Sequence, residues 1–252
     1  MEGYVQSDIN NGIATITFFH PQSNSLPSHL LAKLTEEITK SGNDPVIKVI
    51  VLKSEGTGVF CAGGSFDEML ALKNTETAQL FFSGFANVIN AIRKTQKFVI
   101  ARVQGKVVGG GVGIACAADY TVGLETSAIK LSELAIGIGP FVIGPIVSRK
   151  IGRSAFSALT INATEWRTAE WAMQKGLYAD IYKTTDEMDA VIKTLTDKLS
   201  KSNPEAMKML KKDFWSGTEN WDELLIHQAE TVSKLVLSEF TIAALNKFKN
   251  KE

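Results

Sequence analysis

Short apolar runs and longer amphipathic stretches alternate along most of the chain. Residues 4–9 and 13–18 are rich in β-forming residues and flank Asn10-Asn11-Gly12, whose Asn-Gly pair supplies the positive φ angles of a tight hairpin turn. Residues 46–52 and 98–103 are almost continuously apolar, which predicts strands buried on both faces. This succession of strands and helices predicts an α/β fold with mostly parallel strand pairing.

Helical periodicity marks the segments between and after these strands. One helix begins near Ser25 and Pro27 and ends near Gly42 and Pro45. The apolar faces of this helix and of the next one carry, respectively, Leu30, Leu31, Leu34 and Ile38, and Phe81, Phe85, Val88, Ile89 and Ile92. From about residue 154 the chain becomes helical, amphipathic and richer in Lys and Glu, which predicts a helical C-terminal region.

Composition and charge exclude several classes of partner. The 252-residue chain is long enough for one α/β domain with a sizeable core. It carries 27 Lys and Arg against 27 Asp and Glu, and a net charge of zero gives no reason to expect nucleic acid or a membrane as partner. Residues 1–4 lack the pattern of a secretory signal, and residues 134–148 are too short to span a bilayer. We therefore expect a cytoplasmic protein.

Neither the cysteines nor the histidines form a recognisable reactive or metal-binding pattern. Cys61 and Cys116 each lie in an apolar stretch rich in Gly and Ala, which predicts buried, reduced thiols rather than a disulfide or a nucleophile. His20, His29 and His227 are far apart and match no ligand spacing. We predict no metal site.

Two glycine-rich segments and one lone glutamate carry the candidate chemistry. Residues 60–67 and 109–113 are loops in which a ligand can approach the backbone closely. If both loops converge, two N–H groups could stabilise one oxyanion, at ~3 kcal/mol for each donor. Close packing of strands and helices also explains such glycines. The spacing of residues 109–113 is G-G-G-x-G, and no acidic residue follows at the required distance, which excludes a dinucleotide-binding fingerprint.

Glu133 is the one charged residue in the otherwise uncharged segment 131–140. A carboxyl group in such a stretch either reaches solvent at the end of a strand or serves a function. If it is partly buried, its pKa should rise towards neutrality, which suits a proton shuttle.

Taken together, these segments resemble the enoyl-CoA hydratase/isomerase (crotonase) family. The resemblance covers nearly the whole chain, because order and spacing agree throughout. It rests on His20-Pro21-Gln22-Ser23-Asn24-Ser25-Leu26, Phe60-Cys61-Ala62-Gly63-Gly64, the glycine run from Gly109 that continues to Ala118-Asp119, Gly152-Arg153-Ser154-Ala155, and the segment from Ala169 to Leu177.

The resemblance implies a spiral of ββα units over residues 1–195, and a helical C-terminal trimerisation region over residues 196–252. It implies a small-molecule acyl-CoA substrate, no cofactor beyond the CoA of that substrate, and a homotrimer or dimer of trimers. The implied catalytic groups are the N–H groups of Gly64 and Gly110, which form an oxyanion hole, and the carboxylate of Glu133. The implied substrate-binding residues are Ala62, which would lie beside the CoA, Gly63, Phe66, Gly109, Gly113 and Phe141.

Three departures from the family pattern bear on the reaction and the assembly. Gly113 stands where family hydratases carry the first of two glutamates, which favours an isomerase with the single base Glu133, although many family members are hydratases. A thioester hydrolase, a decarboxylase and a non-catalytic member of the family are the alternatives. Phe141 should narrow or reshape the acyl pocket, and the chain ends in an unusual Lys-rich tail. Apolar side chains on the C-terminal helices predict covered faces in an oligomer: Leu195, Leu199, Leu224, Leu235 and Val236.

Overall fold

Strands and helices alternate across residues 3–249, which are the residues that the computed structural model describes. In chain order the elements are β1 (Tyr4–Asn10), β2 (Ile13–Phe19), α1 (Ser28–Asn43), β3 (Val49–Ser54), α2 (Phe66–Ala71), α3 (Thr75–Lys94), β4 (Phe98–Val103), β5 (Val107–Val108), α4 (Gly110–Ala117), β6 (Tyr120–Leu124), β7 (Ala128–Lys130), a 3-10 helix (Glu133–Ile136), α5 (Gly144–Ile151), α6 (Arg153–Ile161), β8 (Arg167–Thr168), α7 (Ala169–Gln174), β9 (Asp180–Tyr182), α8 (Thr185–Leu199), α9 (Pro204–Phe214), α10 (Trp221–Val236) and α11 (Glu239–Lys249).

The larger sheet has the strand order β1-β2-β3-β4-β6-β9, and all of its pairs except the first are parallel. The β1–β2 hairpin turns at Asn11 and Gly12, whose φ angles are 49° and 78°. Positive φ at both residues is what the Asn-Gly pair predicts for a two-residue turn. The predicted α/β architecture with mostly parallel pairing is therefore confirmed.

The central strands are buried on both faces, as their apolar runs predict. Ile50 and Leu52 of β3 belong to the main core, which α1 and α3 cover. Val49 and Val51 point the other way, into a smaller cluster with Met188 of α8. Each face of the sheet thus packs against helices, which is the normal environment of parallel strands.

One element boundary agrees with the sequence prediction and one differs. Helix α1 ends at Asn43, between the predicted Gly42 and Pro45, and the side chain of Thr95 packs into the space that a Cβ at Gly42 would need. Strand β3 begins at Val49 rather than at Val46, whose side chain is exposed. The cause is the parallel register, which pairs Val49 with Ile13, the first residue of β2.

A smaller sheet of β5, β7 and β8 stands beside the larger one. Strands β5 and β7 are parallel, while β7 and β8 are antiparallel. Residues 60–62 run alongside β5 through a bridge between Cys61 and Val107. This small sheet places the two glycine-rich segments and the chain that leads to Glu133 next to one another.

The helical C-terminal region packs back on the α/β core. Helix α10 lies against α3, and α11 covers the 3-10 helix, where Phe240 and Thr241 lie against Gly137. Of the five apolar residues for which the sequence predicts exposure, Val236 is buried, and Leu195, Leu199 and Leu224 are half-buried in the chain's own clusters. Only the exposure of Leu235, at 36%, agrees with the prediction.

The division of the chain at residue 195 falls within α8 and stays a prediction. Among residues 3–249, no helix has an apolar stretch long enough to cross a membrane.

Candidate active site

One cavity of about 60 Å³ collects eight of the nine site residues that the resemblance implies. These eight are Ala62, Gly63, Gly64, Phe66, Gly109, Gly110, Glu133 and Phe141. The ninth, Gly113, does not line it. The remaining lining residues are mostly apolar and include Met69, Phe81, Phe82, Phe85, Ile136, Ile138, Val142 and Ile143. The polar groups of the cavity therefore lie in an apolar surround, which strengthens their electrostatic interactions.

The first glycine segment is held in place by hydrogen bonds to its neighbours. The N–H of Val108 donates to the carbonyl of Cys61 at 2.9 Å, and the N–H of Leu26 donates to the carbonyl of Gly63 at 2.8 Å. Gly63 has a φ of 90°, and a Cβ there would lie 3.1 Å from the carbonyl oxygen of Val108. A side chain at Gly63 would be strained in both backbone conformation and space.

The second glycine segment opens α4. Gly109, with a φ of 53°, precedes the helix, and its N–H donates to the carbonyl of Lys130 at 2.9 Å. Gly110 is the first residue of the helix, so its N–H has no carbonyl to bind within the helix. Among the described residues, neither this N–H nor that of Gly64 donates to another protein group.

The ring of Phe85, on α3, lies behind both free amides. A Cβ on Gly110 would overlap this ring, and a Cβ on Gly64 would contact both Phe85 and Phe81. The absence of side chains at Gly64 and Gly110 thus lets α3 pack directly under the two loops. Sequence reasoning placed Phe81 and Phe85 on a buried helix face but did not assign them to the site.

Glu133 begins the 3-10 helix that follows β7, and its carboxyl group faces Gly109. A Cβ on Gly109 would lie 2.9 Å from Oε1 of Glu133, so the carboxyl group occupies space that only glycine leaves open. The Oε2 atom is buried and has no hydrogen-bond partner among the described residues. Burial raises the pKa of this carboxyl from 4.5 to about 7, against a smaller lowering by its own backbone N–H.

Gly113 is the one predicted site residue that does not line this cavity. It lies inside buried helix α4, where a Cβ would be 2.7 Å from the Cβ of Ile143. Its φ is not positive, so the backbone would accept another residue. Ile143 lines the cavity itself and occupies the side of α4 from which a side chain at residue 113 would project. No local pattern in the sequence marks Ile143, because only the fold brings it to Gly113.

The cysteines take no part in this site as nucleophiles. Both are free and buried, as predicted, and burial raises the pKa of each thiol to about 12. A thiol with that pKa is a poor source of thiolate near neutral pH. No cluster of three or more His, Cys, Asp or Glu side chains suited to a metal occurs in the described part of the chain.

Comparison with known proteins shows which family this chain is similar to. A sequence profile described as enoyl-CoA hydratase/isomerase matches residues 8–250. A probable enoyl-CoA hydratase of Bacillus subtilis is 25% identical over 202 residues, which cover 80% of this chain and 78% of that protein. The mitochondrial methylglutaconyl-CoA hydratase of Homo sapiens is 28% identical over 200 residues, which cover 78% of this chain.

The match spans 58% of the length of the human protein, so less than two thirds of that relative is represented. Among solved structures, an enoyl-CoA hydratase from Bacillus halodurans superposes with a TM-score of 0.90 and 22% identity. That superposition covers 97% of this chain and 99% of the other, which shows a shared fold over nearly all of the chain.

Proposed function

Because the chain belongs to the enoyl-CoA hydratase/isomerase family, we propose that it moves the double bond of an enoyl-CoA thioester. Glu133 carries the proton, and the N–H groups of Gly64 and Gly110 form the oxyanion hole. One observation carries this proposal: among residues 3–249, the cavity joins two backbone amides without protein partners to a buried carboxyl oxygen without a hydrogen bond. Such groups are the components of enolate chemistry.

The reaction needs only these three groups. The thioester oxygen of a 3-enoyl-CoA accepts hydrogen bonds from both amides. The carboxylate of Glu133 removes a proton from C2, and the electron pair of that C–H bond moves towards the carbonyl, whose oxygen becomes negative. The resulting dienolate takes the proton back from the Glu133 carboxyl at C4, which leaves a double bond between C2 and C3. No other reactant is consumed.

The pKa of Glu133 suits both steps. With a pKa of about 7, the carboxyl is available as a base and as an acid near neutral pH. Efficient proton transfer favours a group whose pKa lies near the working pH. An exposed glutamate would be a much weaker base at C2.

Isomerisation is favoured over hydration by the surroundings of Gly113. Hydration requires that a water be held and activated, and the family resemblance implies a pair of carboxylates for that task. Among the described residues that line the cavity, Glu133 alone has an ionisable side chain. Ile143 fills the space next to Gly113 with a branched apolar side chain. The residues that line the cavity therefore support transfer of a proton from C2 to C4 of the substrate better than they support addition of water.

The test compares 3-enoyl-CoA and 2-enoyl-CoA as substrates, with products identified by mass. We expect migration of the double bond in the unaltered protein, and Glu133→Gln should lower kcat by about 10²–10⁴-fold with little change in KM. Glu125→Gln, which removes an exposed carboxylate, is the matched control. Full activity of Glu133→Gln would refute the role of Glu133. Release of free CoA as the main product would instead support a hydrolase.

We also propose that the protein assembles as a homotrimer or a dimer of trimers, and that it uses no cofactor beyond the CoA of its substrate. The support for assembly is a set of large apolar side chains that remain exposed in the single chain. They include Ile161, Met209 and Phe240, each about 70% exposed. Sedimentation at micromolar concentration should show the mass of three or six chains, and a monomer there would contradict the proposal.

A further inference from the structure

A loop far from the glycine segments in sequence fixes the direction of one of the two proposed oxyanion donors. The N–H of Leu26 donates to the carbonyl of Gly63 at 2.8 Å, and Leu26 pairs with Gly64 in a parallel bridge. The carbonyl of Gly63 and the N–H of Gly64 belong to the same peptide unit. In a planar trans peptide these two groups point in opposite directions. The bond from Leu26 therefore turns the N–H of Gly64 away from residues 20–26 and towards the cavity that Gly64 lines.

The other proposed donor, the N–H of Gly110, is held by its own helix. It shares a peptide unit with the carbonyl of Gly109, which accepts from the N–H of Val112 at 2.8 Å in the first turn of α4. The Gly64 donor has no such local support, because it lies in the loop between β3 and α2. Its direction therefore depends on the contacts that hold residues 20–26 in place.

The side chain of Asn24 joins residues 20–26 to the loop that leads to this donor. Its Nδ2 atom donates to the carbonyl of Glu55 at 3.0 Å and to that of Val59 at 2.8 Å. Its Oδ1 atom accepts from the N–H of His20 at 3.0 Å. Asn24 is only 5% exposed, and hydrogen bonds that are shielded from water in this way are strong. One side chain thus ties the end of β2 to the segment that follows β3.

The backbone at Asn24 has a conformation that most residues avoid. Ser23 and Asn24 both have a φ of 53°, in the left-handed region. Such angles are unfavourable outside glycine, although asparagine tolerates them better than most residues do. The conformation presents the carbonyl of Ser23 to the N–H of Ala62 at 3.2 Å, two residues before Gly64. Backbone of this kind persists only where its surroundings hold it, and the side-chain bonds of Asn24 supply that restraint.

We propose that Asn24 is a positioning residue for the oxyanion hole, an inference that rests on the proposed role of Gly64. Asn24 does not line the cavity and acts through the backbone. Its side chain fixes residues 20–26, and Leu26 in that loop fixes the peptide unit of Gly64. The direction of this N–H governs kcat more than substrate binding, because a hydrogen bond to the carbonyl oxygen strengthens as that oxygen becomes negative.

Two variants separate the side-chain bonds of Asn24 from its backbone conformation. Asn24→Asp keeps the shape and the acceptor for His20 but removes both donors, whereas Asn24→Gly removes all three bonds and favours a positive φ. Each should lower kcat by about 10²-fold with little change in KM, since a misplacement of about 1 Å can cost that much. Asn90→Asp makes the isosteric change at another buried asparagine, on α3 and outside the cavity lining, and is the matched control.

Infrared spectroscopy reads the hydrogen bonds of the oxyanion hole without turnover. The probe is butyryl-CoA labelled with ¹³C at its carbonyl, which has no double bond to move. Binding to the unaltered protein should lower the stretching frequency of this carbonyl, and in both Asn24 variants the frequency should return towards its value in buffer. Calorimetry checks that butyryl-CoA still binds, and circular dichroism checks that each variant is folded. A purely structural role for Asn24 would lower the stability of the variants and leave the frequency of the bound carbonyl unchanged.

The outcomes separate this inference from the proposed reaction. An unchanged carbonyl frequency in the folded Asn24 variants overturns the inference, even if the protein isomerises enoyl-CoA. A frequency that returns towards the buffer value in these variants but not in Asn90→Asp retains the positioning role, even in a protein that isomerises no enoyl-CoA, where the proposed reaction is refuted. If Asn24→Asp does not fold, Asn24→Gly decides the question. If the unaltered protein does not lower the frequency, both the oxyanion hole and the role of Asn24 are overturned.

Discussion

At the scale of single residues, Glu133 and Gly109 depend on each other. The carboxyl group of Glu133 is accommodated because Gly109 has no Cβ, and Gly109 adopts a φ of 53° that also favours glycine. The carboxyl group is held there without a partner for Oε2, at a cost in stability that an enzyme tolerates for a reactive group. The same burial that destabilises the charged form brings the pKa near neutrality.

A prediction on pH follows from this burial. The pKa of Glu133 is about 7 in the folded chain and 4.5 in an unfolded one. Between these values the folded chain keeps a proton that the unfolded chain releases, so this carboxyl lowers the free energy of unfolding as pH rises. Glu133→Gln has no carboxyl to titrate at this position, so its free energy of unfolding does not fall for this reason. Between pH 4.5 and pH 8, the free energy of unfolding of Glu133→Gln minus that of the unaltered protein should therefore increase by ~3 kcal/mol. Urea denaturation of both proteins at several pH values measures the difference.

Activity should change in the opposite sense, with kcat/KM of the unaltered protein rising as pH passes about 7.

A constant stability difference across this pH range would contradict the prediction, because it would mean that the carboxyl titrates alike in both states. Glu125→Gln, which removes an exposed carboxylate, serves as the control here too.

At the scale of elements, the packing of α4 against the start of α5 decides what the cavity can hold. Ile143, immediately before α5, contacts the position where Gly113 lacks a side chain. A glutamate at residue 113 alone would collide with Ile143 inside a tightly packed core, and overpacking of this kind typically costs ~1–3 kcal/mol.

Gly113→Glu should therefore fail to create hydratase activity, whereas Gly113→Glu/Ile143→Ala should create it. The second substitution opens the space that the new carboxylate needs in order to reach the cavity and hold a water beside Glu133. Ile143→Ala alone is the control, and it should keep the product ratio that the proposed isomerase activity of the unaltered protein gives. The measurement is the ratio of water-addition product to double-bond isomer from each variant. Equal ratios in the double variant and the Ile143→Ala control would show that a missing carboxylate is not what limits hydration.

At the scale of the whole molecule, a buried ion pair ties the C-terminal helices to the part of the core that carries the site. Lys211 of α9 donates to Asp119 at 2.5 Å, and both side chains are almost fully buried. Asp119 also accepts from Nε1 of Trp215 and from the N–H of Val99. Since Asp119 follows α4, the helix that begins at Gly110, this network couples the helical region to one of the proposed oxyanion donors.

Lys211→Met should lower the free energy of unfolding by ~3–5 kcal/mol, because it leaves a buried carboxylate without its counter-ion. Lys212→Met, at the exposed neighbouring position, should have little effect. The double variant Asp119→Asn/Lys211→Met should recover part of the loss, because it removes the carboxylate that Lys211→Met leaves without this partner. Chemical denaturation of the variants gives these values. If Lys211→Met lowers the free energy of unfolding no more than Lys212→Met does, then water solvates the Asp119 carboxylate when Lys211 is replaced.

Much of the fold and most of the candidate site can be predicted from short segments of the sequence. The apolar runs of β3 and β4, the Asn-Gly turn and the helix faces follow from periodicities that any fold must respect. The glycine segments and Glu133 stood out because their composition departs from their surroundings. Each of these features is a property of a few consecutive residues, so the sequence alone was enough to predict it.

Only the tertiary structure decided how distant segments meet. Several contacts join residues that are far apart in the chain. Ile143 fills the space beside Gly113, and Phe85 packs under both glycine-rich loops. Packing within the core covers Leu224 and Val236, while Lys106 and Lys130 lie near the ring of Trp166. Such contacts depend on strand register and helix packing, which are settled by the whole core at once rather than by local propensity. The sequence by itself therefore determined which groups can perform the chemistry, and the packing of the folded chain determined which of them share the cavity and in what surroundings.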